Sequence, residues 1–79
     1  MKEGDEKILY EIISKILDIP IDNINDDSSP DTIEAWDSLT HLNLIMAIEF
    51  EFKIKLSPED SMDMLSVRLI KIILEPDLQ

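Results

Sequence analysis

Between Ser38 and Phe52 the apolar residues fall on two stripes of a helix, not one. Leu44, Ile45, Ile48 and Phe52 make the first stripe; Leu39, Leu42, Met46 and Phe50 make the second, at spacings of three, four and four. At about 100° per residue, the second stripe is centred roughly 140° around the helix from the first. A helix apolar on two faces either is buried by neighbours on both or packs with one face and binds with the other. The rest of the chain bounds that choice. Its 79 residues suffice for one small domain, 1–79, with one core and no deep substrate cleft. Hydrophobic residues make up 44%, with one glycine and four prolines, which predicts a folded, helix-rich chain despite a net charge of -11.

Met1 to Gly4 reads as a frayed start, with Asp5 as the N-cap of a first helix over about 5–18. Ile8, Leu9, Ile12, Ile13, Ile16 and Leu17 occupy one half of its wheel; Lys7, Tyr10, Glu11, Ser14 and Lys15 take the solvent half. Pro20 ends it, because the residue before a proline is pushed out of the helical region. A long loop, 19–37, is rich in Asp, Asn, Ser and Pro, and Ile21, Ile24, Ile33 and Trp36 are its expected pins. The second helix, 38–52, closes at Lys53 and Lys55. Ser57 as N-cap, Pro58 at the first helical position, and Glu59 and Asp60 after it begin a short third helix, 58–63, packed down by Met62, Met64 and Leu65. Ser66 offers a new cap for a fourth helix over 67–75. With only Arg68, Lys71 and Glu75 polar, that helix is expected to be mostly buried and to stop at Pro76. These elements predict an all-α fold, a small four-helix bundle with three principal helices and a short third one.

Few chemistries survive the composition. There is no cysteine for disulfides or thiolate metal sites, and no apolar stretch of membrane-spanning length or signal-peptide pattern, so cytoplasmic residence is the expectation. The chain is separately expected to be a monomer. Eighteen acidic against seven basic residues repel nucleic acid and anionic lipid; they serve solubility, or steer the chain to enzymes with basic patches. Asp26, Asp27, Asp31, Glu34 and Asp37 suggest a calcium loop, but Pro30 and Asp31 fall where an EF-hand needs a ligand and a glycine, so no metal site is assigned. The single histidine, His41, lies three residues after Ser38 and four after Asp37. A hydrolase triad on one helix start cannot converge, and no second segment offers an oxyanion hole. His41 therefore reads as a partly buried structural residue. Without a glycine-rich phosphate loop or a metal cluster, the chain is expected to be no enzyme.

What remains is Ser38, at the junction where the polar loop becomes the second helix. Asp37 before it can accept from backbone donors at the helix start, which leaves the serine hydroxyl facing solvent on a rigid support. The helix N-terminus favours negative charge, so the position suits attachment of a phosphate-linked group. Asp37-Ser38-Leu39, followed by Leu44-Ile45-Met46-Ala47-Ile48-Glu49, Glu51-Phe52, the Ser57-Pro58-Glu59-Asp60 turn and a closing apolar helix, resembles the acyl carrier protein family over nearly the whole chain. The resemblance implies that Ser38 receives 4'-phosphopantetheine from coenzyme A, with Asp37 and Leu39 beside it, and carries acyl groups as thioesters. It implies a phosphopantetheinyl transferase, an acyl- or aminoacyl-loading ligase or transferase, and downstream biosynthetic enzymes as partners. Because the second stripe begins beside Ser38, Leu39, Leu42, Met46 and Phe50 are expected to be partly exposed and, with Asn43 and Glu49, to face those enzymes. Asn43 and Phe50 stand where fatty-acid carriers place glutamates. Together with Trp36 they look like discrete carriers of specialised pathways. An aminoacyl or peptidyl carrier fits the same residues, and so does an unmodified helical docking module.

Overall fold

The computed structural model describes residues 2–78. Helix α1 spans Glu3–Leu17, two residues earlier than the sequence suggests. Extended Lys2 is its N-cap, and its carbonyl accepts from the Glu6 N–H at 3.0 Å. Asp5 is therefore not the cap. It lies in the first turn with Glu3 and Glu6, where three carboxylates oppose the positive helix end. Glu3 and Gly4 are helical, not frayed, while Met1 lies outside the described residues. The helix ends at Asp18 in the left-handed region (φ 55°), and Ser14 collects the released donors: its carbonyl accepts from the Asp18 and Ile19 N–H groups, and its hydroxyl donates to the Ile19 carbonyl at 2.6 Å.

Three further helices follow: α2 over Ser38–Phe52, α3 over Pro58–Asp63 and α4 over Val67–Leu78. No strand occurs among the described residues, so the chain is an all-α, four-helix bundle with a short third helix. None of the helices is long and apolar enough to cross a membrane. The core takes Leu9, Ile13 and Leu17 from α1, Leu44, Ile45 and Ile48 from α2, and Val67, Ile70 and Leu74 from α4. Ile24, Trp36, Leu56 and Met64 close it from the connections. Trp36, only 2% exposed, is a large hydrophobic plug that holds the end of the long loop beneath the start of α2.

Several expectations need correcting. Ile21 does not pin the loop: it lies in a single 3-10 turn, Ile21–Asn23, with its side chain exposed. Ile24 and Trp36 carry that task, with Ile33 packed against the core at its edge. Of the three residues expected to hold α3 down, Met64 alone is buried; Met62 and Leu65 are exposed, because a six-residue helix has too few turns to bury a full stripe. Helix α4 is half-covered, not mostly buried, since Leu69 and Ile72 face outward. Nor does it stop at Pro76, which sits inside its last turns. The carbonyl that this proline leaves without a donor belongs to exposed Ile72, where water can serve it.

The loop is tied to α4 by polar bonds the sequence does not announce. The Val67 N–H donates to the Ser28 carbonyl at 2.9 Å and the Arg68 N–H to the Asp26 carbonyl at 3.0 Å. Lys71 Nζ reaches Asp26 at 2.7 Å and Glu6 at 3.0 Å, and lies 4.8 Å over the Tyr10 ring. Tyr10, expected on the solvent face, is accordingly half-buried, with its hydroxyl donating to Asp26. Burial alone would push the Lys71 ammonium down, but its bonds to Asp26, Tyr10 and Glu6 outweigh that and raise it. The Lys71 bond in turn holds the Asp26 carboxyl below the usual carboxylate range.

Candidate functional site

Helix α2 begins on a cap its own sequence supplies. Asp37 is extended, its Oδ1 accepts the Thr40 N–H at 2.8 Å, and its carbonyl accepts the His41 N–H at 2.8 Å. The Thr40 N–H is the main reason the Asp37 carboxyl lies below its ordinary range. The bond therefore favours the ionised form of the cap. Ser38 follows as the first residue of the helix, with its side chain in solvent.

Its standing among the seven serines is distinctive. The Ser14 hydroxyl donates to Ile19, the Ser28 hydroxyl accepts from Asn25, the Ser57 hydroxyl caps Asp60 and the Ser66 hydroxyl caps Leu69. Ser29 and Ser61 are half-buried. Among the described residues, Ser38 alone combines exposure with a hydroxyl engaged by no partner.

Beside it lies a cleft of about 470 Å³ lined by Pro30, Trp36, Asp37, Ser38, His41, Met62 and Leu65. His41 is half-buried, as its wheel position suggests, and both its ring nitrogens are occupied. Nδ1 accepts from Trp36 Nε1 at 2.9 Å, and Nε2 sits 2.8 Å from the Ser61 carbonyl oxygen. Asp37 bonds to Thr40 and not to the imidazole, so nothing of a catalytic triad is assembled. Sequence reasoning missed this cleft. The available signal was the only tryptophan and the only histidine, placed five residues apart across a helix start.

Leu39, Leu42, Met46 and Phe50 run away from Ser38 along α2, all exposed, and Asn43 is exposed beside them. Glu49 differs. It is half-buried, and its Oε2 accepts the Leu56 N–H at 2.8 Å, so it also holds the connection between α2 and α3. That connection turns at Lys53 in the left-handed region (φ 57°), where the Ile54 N–H reaches back to the Glu49 carbonyl.

A family profile described as "Phosphopantetheine attachment site" matches residues 7–71, which covers all of α2 and its approach. The acyl carrier protein of Buchnera aphidicola subsp. Schizaphis graminum (strain Sg) is 51% identical over 57 residues, 71% of this chain and 71% of that protein. The residues present fit the prosthetic group this family carries, since an exposed, unengaged hydroxyl at a helix start is open to a phosphodiester and the adjoining cleft is largely apolar. The family works with a phosphopantetheinyl transferase and with biosynthetic enzymes. With four helices in the expected order and a match spanning most of its length, the chain belongs to the acyl carrier protein family: it is a carrier, not a catalyst, and bears covalent 4'-phosphopantetheine.

Proposed function

We propose that Ser38 is the residue that bears the prosthetic group, and that its thiol carries acyl intermediates as thioesters between biosynthetic enzymes. The observation that carries the reading is that Ser38 is the one exposed serine whose hydroxyl is unengaged, on the first turn of a helix capped by Asp37. In the loading step, Ser38 Oγ bonds to the phosphorus of the coenzyme A pyrophosphate, adenosine bisphosphate leaves, and the serine proton passes to a base of the transferase. Asp37 keeps the helix start rigid while this happens. Leu39, which is exposed, begins the surface the partner must cover.

That surface is the second stripe, Leu39, Leu42, Met46 and Phe50, with Asn43 and Glu49 at its edge. Four large apolar side chains left in solvent on one face support docking better than solubility. The excess of eighteen acidic over seven basic residues suits a transferase, a loading ligase or acyltransferase, and downstream enzymes with basic patches around an apolar centre. Residues 1–79 act as one carrier domain, monomeric and cytoplasmic.

Intact-mass measurement after incubation with coenzyme A and a broad-specificity transferase tests the attachment. Wild type should gain one phosphopantetheine, and Ser38→Ala should gain none. Modification of Ser38→Ala, or a modified peptide containing Ser28, Ser29, Ser57, Ser61 or Ser66, would overturn the assignment.

A further inference from the structure

The imidazole of His41 is fixed by its two partners. An indole N–H can only donate, so Nδ1 accepts from Trp36 and carries no proton; a carbonyl oxygen can only accept, so Nε2 carries the proton and donates to Ser61. The ring is the neutral Nε2–H tautomer with both nitrogens spent. It lies close to parallel with the Trp36 ring, with centroids 6.1 Å apart and planes 22° from parallel.

These partners come from different segments. Trp36 closes the long loop, His41 stands in the first turns of α2, and Ser61 lies in α3. Among the described residues, the His41 to Ser61 bond is the one side-chain hydrogen bond joining α2 to α3. Helix α3 is six residues long; buried Leu56 and Met64 hold its two ends in the core, but Met62 and Leu65 are exposed, so this bond is its polar tie to α2. The same segments form the walls of the cleft, with Pro30 and Trp36 from the loop, Met62 and Leu65 from α3 and its exit, and Asp37, Ser38 and His41 from α2. The Trp36–His41–Ser61 bridge therefore ties together the three segments that line the cleft, and Ser38 is part of the same lining.

Resting on the reading that Ser38 is modified, we propose that His41 is a positioning residue: through Trp36 and Ser61 it holds α3 against the start of α2 and keeps the cleft beside Ser38 in the form in which the transferase modifies it. The bridge works by geometry alone, and no proton moves through the imidazole. Because the cleft adjoins the reacting oxygen while the exposed stripe runs away from it, loss of the bridge acts on turnover more than on docking.

Three variants and one spectroscopic measurement test this. In nitrogen-15-labelled wild type, a scalar coupling across the hydrogen bond should connect Trp36 Nε1 to His41 Nδ1; its absence would overturn the bridge directly. With a broad-specificity transferase and coenzyme A, His41→Leu should lower kcat about tenfold with KM changed less than about twofold, because a displaced α3 wall changes the cleft in which the pantetheine must be aligned with the acceptor oxygen. His41→Gln offers one acceptor and one donor in place of the two ring nitrogens, and should recover to within about threefold of wild type. Wild-type kcat in folded His41→Leu, or a glutamine variant no better than leucine, would show that the imidazole is mere packing. If His41→Leu fails to fold, Trp36→Phe, which keeps an aromatic plug and drops the indole donor, decides the matter: a lowered kcat supports the bridge and an unchanged one overturns it. Ser38→Ala runs alongside, since its modification would overturn the attachment reading and leave the coupling measurement to judge the bridge.

Discussion

Phe50 and Ile48 are two residues apart on α2, yet the structure assigns them opposite fates: Phe50 is 83% exposed and Ile48 is 0% exposed. Truncating Ile48 to alanine removes three buried methylene equivalents, about 2.4 kcal/mol of transfer free energy at about 0.8 kcal/mol each. The cavity left in the shared core adds to that, bringing the loss to about 3–4 kcal/mol. A chain of this length has about 4–12 kcal/mol in all, so Ile48→Ala should forfeit between roughly a quarter and nearly all of its stability. Phe50 buries only about a sixth of its surface, which is about 0.5 kcal/mol of the roughly 3 kcal/mol a fully buried ring contributes. Alanine recovers about 0.5 kcal/mol through its higher helix propensity, so the net change for Phe50→Ala is close to zero. Urea melts of both variants read these numbers directly. The binding arm is kcat/KM with a loading enzyme, where Phe50→Ala should lose about 1 kcal/mol or more if the ring fills a pocket on the partner. Equal, large stability losses in both variants would refute the reasoning, because α2 would then be buried on both faces. Unchanged stability with unchanged kcat/KM would remove Phe50 from the docking surface.

Lys71→Met should cost about 1–2 kcal/mol, because it strands Glu6 and Asp26 without their shared cation while keeping the aliphatic stem over Tyr10; a thermal melt checks it. The same pair sets a pH dependence. The lowered Asp26 carboxyl contributes stability that is complete above its unfolded value and is lost as pH falls through its folded value, whereas the raised Lys71 contribution is lost only as pH rises through its own folded value. Wild type should therefore lose more stability than Lys71→Met as pH falls below about 4, and parallel acid melts of the two would contradict this. Glu49→Ala should destabilise by about 1–2 kcal/mol by leaving the Leu56 N–H unpaired; Glu49→Gln, which keeps an acceptor, should lose less in the same denaturant melt. Raising salt from low to moderate strength should slow association with the transferase in stopped flow, since a charge of -11 acts mainly through steering; a constant rate would assign that charge to solubility.

The sequence carries the parts of this fold that depend on local chemistry and periodicity. The two stripes of α2, the Asp37 and Ser57 caps and the core face of α1 all follow from spacing and side-chain type, and Ser38 stands out because a capped helix start is a local pattern. What it does not carry is non-local. Tyr10 leaves the solvent face because Lys71, far along the chain, lies over its ring. The cleft depends on where a short α3 is tethered, and part of that tether is a bond between one imidazole and one carbonyl twenty residues apart, beside buried Leu56 and Met64. Pro76 misleads because the penalty of a proline in a helix depends on whether the stranded carbonyl can reach water. Leu69 and Ile72 mislead because an apolar residue on a small domain is not obliged to be inside.

The carbonyls of Asp26 and Ser28 that receive the first N–H groups of α4 bear on the order in which the chain assembles. Helix α1 and the body of α2 can be nucleated from their own neighbours, but the start of α4 cannot be sealed until a stretch of roughly forty residues has closed on itself, an entropic cost that falls before any bond rewards it. The long loop and the start of α4 are therefore expected to set together and late. In native-state hydrogen exchange, the amides of Val67 and Arg68 should open in a single cooperative event with those of Asn25 and Ser28, while the amides in the middle of α1 stay protected through it. A nascent chain halted before Ser66 would present the loop as an open strap, its two carbonyls waiting for a helix still inside the ribosome.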